Sequence, residues 1–231
     1  MQRIVLSAPG KNALSIAVLE GVRRDVEALH GEPFLLSGAG DTFCAGLNLK
    51  EVATLDEDGM RRLLAALDAA VEALFHHPAP TVAWVNGHAI AGGCVLAMCC
   101  DVVVARADPL IRIGLNETAL GLPFPPKITA LARHRLPPGA LERALLGASL
   151  HPPEEARGLG LVDTVADAAA AAEERLAQLA ALPRAAYALN KRQLRSGALT
   201  SASTDAVFEE ILPVWSSDET RRRAAAALKG R

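Results

Sequence analysis

A chain of 231 residues, 51% of them apolar, is long enough to bury the core of one α/β domain with a terminal appendage. Its formal charge of -2 comes from 24 basic and 26 acidic residues that are interspersed rather than blocked, which argues against a nucleic-acid or acidic-membrane partner. No charge-free apolar run reaches the roughly 18 residues of a membrane span, and Met1-Gln2-Arg3-Ile4-Val5-Leu6 is too short an opening for a signal peptide, so a cytoplasmic protein is expected.

Ile4 to Ser7 predicts a short strand running into the turn cluster Ala8-Pro9-Gly10-Lys11-Asn12. Ser15 can then cap a helix to about Leu29, in which Ile16, Leu19, Val22, Val26 and Leu29 repeat at helical spacing. Pro33 to Ser37 reads as a second strand ending in Gly38-Ala39-Gly40-Asp41, and the loop Phe43 to Leu49 leads to another helix. Strand, helix, strand is the unit of a parallel sheet. From Asp58 to His77, Met60, Leu63, Leu64, Leu67, Val71, Leu74 and Phe75 trace one apolar face, and Pro78 and Pro80 stop it. Thr81 to Val85 predicts a third strand, Asn86 to Gly93 a second glycine-bearing loop, and an apolar helix follows to about Cys100. The unbroken run Val102 to Ala105 marks a buried strand.

Beyond Pro123 helical patterns dominate, broken at Pro137-Pro138, Pro152-Pro153, Gly158-Leu159-Gly160 and Pro183. Helices from Ser203 to about Trp215 and from Asp218 to Leu228 read as an appendage on the core or on a neighbouring subunit, because Val207, Phe208, Ile211, Leu212 and Trp215 are apolar bulk for one small domain to cover. The chain divides into a catalytic core, residues 1–195, and a C-terminal helical region, residues 196–231.

Cys44, Cys94, Cys99 and Cys100 form no paired C-x-x-C units, so buried reduced thiols are expected and no metal site. Ala45-Gly46-Leu47-Asn48 and Ala91-Gly92-Gly93 have the form needed to present backbone N–H groups to an anion. Glycines at strand-to-helix turns are also ordinary turn formers, and pattern alone leaves both readings open. His88 at a strand end reads as a packed spectator, His76-His77 as cations closing a helix, and Lys11, Lys50 and Arg23 as surface cations that can also meet phosphates.

Asn12-Ala13-Leu14-Ser15, Phe43-Cys44-Ala45-Gly46-Leu47, Asn86-Gly87-His88-Ala89-Ile90-Ala91-Gly92-Gly93, Cys100-Asp101 and Gly158-Leu159-Gly160-Leu161-Val162 follow one another as in the enoyl-CoA hydratase/isomerase, or crotonase, family, which the chain resembles over nearly its whole length. The resemblance implies an α/β fold, a spiral of β-β-α turns with a helical C-terminal trimerisation region. It implies an acyl-CoA thioester substrate, no cofactor beyond the coenzyme A of that substrate, and a homotrimer or hexamer. It also implies that the amides of Leu47 and Gly92 form an oxyanion hole, and that Ala45, Gly46, Leu47, Asn48, Leu49 and Gly92 bind substrate.

Hydratases of the family carry two glutamates. Here Val95 stands at the first position, where it cannot transfer a proton, and Glu117 at the second. Gly114-Leu115-Asn116-Glu117-Thr118-Ala119-Leu120-Gly121 resembles the 3,2-trans-enoyl-CoA isomerases of the mitochondrial type, whose single catalytic glutamate lies in this motif, and Pro152-Pro153-Glu154-Glu155-Ala156 fits them too. The expected reaction is therefore double-bond migration in fatty acid β-oxidation; the alternatives are a hydratase, hydrolase or decarboxylase on the same scaffold, or a non-catalytic acyl-CoA-binding relative. Two features depart from the family: Asn48 replaces its usual aspartate, and the N-terminus lacks its first edge strand.

Overall fold

The computed structural model of the chain describes residues 1–199 and 204–229. The chain opens with β1 (Gln2–Leu6), a short turn α1 (Pro9–Asn12) and α2 (Ile16–Ala28), followed by β2 (Phe34–Gly38) and β3 (Thr42–Cys44). Helices α3 (Leu49–Val52) and α4 (Glu57–Phe75) lead to β4 (Thr81–Val85), β5 (His88–Ile90) and α5 (Gly92–Met98). Then come β6 (Val102–Arg106), β7 (Ile113–Gly114), a 3₁₀ turn (Thr118–Leu120), α6 (Pro126–Arg135), α7 (Pro138–Leu145) and α8 (Pro153–Gly158). The last elements are β8 (Thr164–Ala166), α9 (Ala170–Ala180), α10 (Arg184–Arg195), α11 (Thr204–Trp215) and α12 (Asp218–Lys229).

These strands form two parallel sheets, one ordered β1-β2-β4-β6-β8 and the other β3-β5-β7. The second, third and fourth passes of the chain each add one strand to the large sheet and one to the small sheet before turning into helix, and β8 then joins the large sheet alone. This is the expected β-β-α spiral. In the first pass a single parallel bridge, Leu14 to Leu47, takes the place of a small-sheet strand, and β1 is itself the edge of the large sheet. Strands β3, β5 and β7 have no counterpart in the sequence reading, because runs of two or three residues carry no detectable alternation.

The continuous apolar runs of the central strands follow from burial on both faces. One face of the large sheet packs on the main core, where α4 contributes Leu63, Leu64, Leu74 and Phe75. On the other face Leu35, Val82, Trp84 and Val104 meet Ala172 and Leu176 of α9. Helix α2 starts where its cap residue predicts, with the Ser15 hydroxyl accepting the Val18 N–H at 3.2 Å.

One expectation needs correction. His77 does not close α4 as a cation: it is 4% exposed, its Nε2 lies 2.9 Å from the Glu32 carbonyl, and its ring meets Phe34 edge-on. Burial lowers the pKa of both His76 and His77, which favours the neutral rings. Of the C-terminal apolar residues, Ile211, Leu212 and Trp215 are covered by the chain's own main core, the first of the two placements open to these helices, and Phe208 is partly buried against it. The expected helix start at Ser203 and the side chain of Val207 lie outside the described residues. The four cysteines are buried and free, and desolvation pushes the Cys44 and Cys100 thiols up to about 12.

Candidate active site

The small sheet brings the two glycine-bearing loops together. Parallel pairing of β3 with β5 sets the chain leaving β3 (Ala45-Gly46-Leu47) beside the chain leaving β5 (Ala91-Gly92). Gly46 has φ +86°, and a Cβ there would stand 2.8 Å from the Ile90 carbonyl oxygen, so only glycine permits this approach. The turn at Ala91 is strained, with φ 51° and ψ -121°, and is held by the Ala91 N–H donating to the Gly114 carbonyl at 2.8 Å.

This packing leaves two amides without partners among the described residues. The Leu14 N–H donates to the Gly46 carbonyl, and the Asn48 N–H donates to the Leu14 carbonyl, both at 2.8 Å, so the chain is clamped on either side of Leu47 while the Leu47 N–H stays unused. The Gly92 N–H is the first of α5 and has no carbonyl behind it, as at any helix start. A Cβ at Gly92 would stand 3.8 Å from the Leu47 nitrogen, which shows how near the two segments lie. Two adjacent free N–H groups on rigid backbone suit a developing oxyanion.

Leu47 and Gly92 both line a cavity of about 240 Å³ whose wall is mostly apolar. Glu117 enters it from the segment after β7. Its carbonyl accepts the Leu120 and Leu122 N–H groups at 2.9 and 3.0 Å, and neighbouring Thr118 donates its hydroxyl to the Leu145 carbonyl at 2.8 Å. Glu117 is 7% exposed and its Oε2 is buried without a hydrogen-bond partner. Burial therefore raises its pKa to about 7, against a smaller opposing effect of its own backbone N–H. A carboxyl that gains and loses a proton near neutrality is suited to general acid–base work.

Ala45, Leu47, Leu49, Gly92 and Glu117 all line this cavity, as does Val95. Gly46 and Asn48 do not: Gly46 serves the backbone approach, and the Asn48 side chain caps α3 by accepting the Lys50 N–H at 3.1 Å. His88 accepts the Arg112 N–H at 3.0 Å as a spectator, and Lys11, Lys50 and Arg23 lie off the cavity, Arg23 paired with Glu27. Most of the remaining wall carries no role from the sequence, and two of its residues stand out. Asn116 Oδ1 is buried without a partner beside Glu117, and Trp215 closes the wall from α11. Asn116 adjoins the glutamate in its motif, but nothing local to Trp215 marks it as part of a site. Among the described residues no group of three His, Cys, Asp or Glu side chains is placed to hold a metal ion, and no helix is long and apolar enough to cross a membrane.

The model of a family described as enoyl-CoA hydratase/isomerase matches residues 2–211. The human protein named enoyl-CoA delta isomerase 1, mitochondrial, is 29% identical over 224 residues, covering 93% of this chain and 74% of that protein. The human enoyl-CoA hydratase domain-containing protein 3 is 33% identical over 209 residues, covering 83% of this chain and 65% of that protein. Among solved structures, human mitochondrial delta3-delta2-enoyl-CoA isomerase superposes with a TM-score of 0.91 at 28% identity, covering 99% of this chain and 93% of that one.

Proposed function

The chain belongs to the enoyl-CoA hydratase/isomerase family, and on that premise we propose that it isomerises 3-enoyl-CoA to 2-trans-enoyl-CoA. The observation that carries this reading is that Glu117 is the only ionisable side chain among the described residues lining the cavity, with Val95 at the other position where a proton-transferring group would be needed. Hydration needs one group to deprotonate water and another to protonate carbon, whereas double-bond migration needs only one shuttle.

In this mechanism ionised Glu117 takes a proton from the α-carbon, which lies between the thioester carbonyl and the β,γ double bond. The electron pair moves onto the thioester oxygen, and the Leu47 and Gly92 N–H groups stabilise the enolate more strongly than the neutral carbonyl. The neutral carboxyl then returns the proton to the γ-carbon, and the double bond comes to rest between the α- and β-carbons. A raised pKa serves both halves of the cycle.

Steady-state kinetics on a 3-enoyl-CoA test this directly. Glu117→Gln preserves shape and removes proton transfer, and is expected to lower kcat by about 10² to 10⁴ while acyl-CoA still binds. Retained turnover would overturn the assignment.

We also propose assembly as a homotrimer or a multiple of it. The support within the chain comes from α10 and the residue before its cap, which leave Leu182, Leu189 and Leu194 exposed. A monodisperse monomer in light scattering would refute it.

A further inference from the structure

The wall of the cavity that holds Glu117 grades from half-buried to fully buried residues. Towards the mouth, Leu49, Leu120 and Ala227 are only half-buried. At the deep end Leu67, Val95, Ile128 and Trp215 are each no more than 3% exposed. An acyl chain whose thioester oxygen sits at the Leu47 and Gly92 amides and whose α-carbon meets Glu117 continues into that deep end.

Trp215 is fixed there from two sides. Its indole Nε1–H donates to the Pro123 carbonyl at 2.9 Å, and Pro123 belongs to the segment whose Leu122 and Pro125 line the same cavity. Moving the ring aside would strand a buried donor. The backbone following it is held as well, since the Ser216 hydroxyl donates to the Leu212 carbonyl at 2.9 Å and the Thr220 hydroxyl to the Val214 carbonyl at 2.7 Å. A thermally mobile side chain would yield to a longer ligand; this one is part of the frame.

We propose that Trp215 is the end wall of the acyl site and restricts the substrate to short and medium acyl chains. The inference rests on the acyl-CoA reading above and goes beyond it in naming the chain-length class. The cavity is finite, about 240 Å³, and an acyl chain that outgrows it meets the indole.

Calorimetric binding of saturated acyl-CoA thioesters, which cannot turn over, tests this apart from catalysis. With the wild-type protein, affinity is expected to rise from butanoyl- to octanoyl-CoA by up to about fourfold per methylene, to level off by dodecanoyl-CoA and to fall at hexadecanoyl-CoA. Trp215→Ala is expected to raise the ratio of dodecanoyl to octanoyl affinity at least about tenfold, the equivalent of two or so newly buried methylenes. Trp215→Phe keeps a ring but loses the Pro123 bond, and is expected to raise the ratio by about threefold, around one methylene's worth. It decides the matter if circular dichroism shows that the alanine variant does not fold.

Hexadecanoyl-CoA binding as tightly as octanoyl-CoA in the wild type, or an unchanged ratio in a folded variant, overturns the proposal. If affinity breaks near octanoyl-CoA but no 3-enoyl-CoA is isomerised, the end wall stands and the reaction assignment falls. Absence of binding at every length overturns both.

Discussion

Glu117 and Asp101 are both largely withdrawn from solvent, and their surroundings are opposites. Asp101 lies under α10, where Lys191 and Arg195 each approach it to 2.8 Å, the Tyr187 hydroxyl donates to it at 2.8 Å and the Thr81 N–H does the same. Glu117 stands in a mostly apolar cavity with one oxygen unpartnered. A buried charge that is surrounded by donors holds a structure together, while one left without them stays reactive. The difference separates a group that joins elements from a group suited to proton transfer.

The largest expected effect is the contrast between removing each charge. Glu117→Gln is expected to lose activity by the factor given above while the protein remains folded. Asp101→Asn is expected to cost about 3–5 kcal/mol of stability by stranding two buried cations, with kcat in the surviving folded protein within about threefold of wild type, a change of less than about 1 kcal/mol in barrier. Urea denaturation and steady-state kinetics on both variants read the two axes; an Asp101→Asn protein as stable as wild type would break the comparison.

A second test uses pH. Glu117 titrates at about 7 in the folded chain against 4.5 when unperturbed, so between those values the folded state binds more protons than the unfolded state. This contribution to stability is therefore fully present below pH 4.5 and is lost as pH rises through 7, by on the order of 3 kcal/mol. Glu117→Gln removes that loss and is expected to be the more stable protein at pH 8, as read by its urea midpoint. In the wild type, kcat/KM is expected to rise with pH through about 7 as the base ionises. A stability difference that does not change with pH would contradict the assignment of this titration to Glu117.

The smallest expected effect sharpens the comparison from the other side. Val95→Glu adds a second carboxylate to the same cavity, and a small but measurable hydration of 2-enoyl-CoA is expected, followed by loss of the conjugated thioester absorbance. Val95 is 1% exposed, so the new carboxyl is held largely neutral and the gain stays far below that of a true two-glutamate site. Wild-type protein that already hydrates as fast as it isomerises would break the single-carboxylate reading.

Much of this was legible in the sequence, for reasons that differ by element. Strands β1, β2, β4 and β6 and helices α2 and α4 declare themselves through burial patterns several residues long, and the proposed chemistry was read from the residue types of Glu117 and Val95 at their places in the family's motifs. The small sheet was not legible, because β3, β5 and β7 are too short to carry a period. Nor was the direction of α10. Periodicity identifies its two faces, but Lys191 and Arg195 point inward to Asp101 while Leu189 and Leu194 point out, the reverse of the usual amphipathic arrangement. The Trp215 wall depends on a contact with Pro123 across 92 positions, a separation local pattern does not encode.

The order in which the cavity is assembled follows from where its walls lie along the chain. Synthesis delivers the Leu47 and Gly92 amides, then Glu117, and only afterwards α11 and α12, which bring Trp215 and Ala227. A nascent chain that has emerged from the ribosome as far as Arg195 thus carries every group to which the proposal gives a chemical role but presents Leu67, Val95 and Ile128 along an unfinished trough. In that interval the trough offers an apolar surface that chaperones bind and other nascent chains adhere to. The C-terminal helices both complete the enzyme and end its exposure.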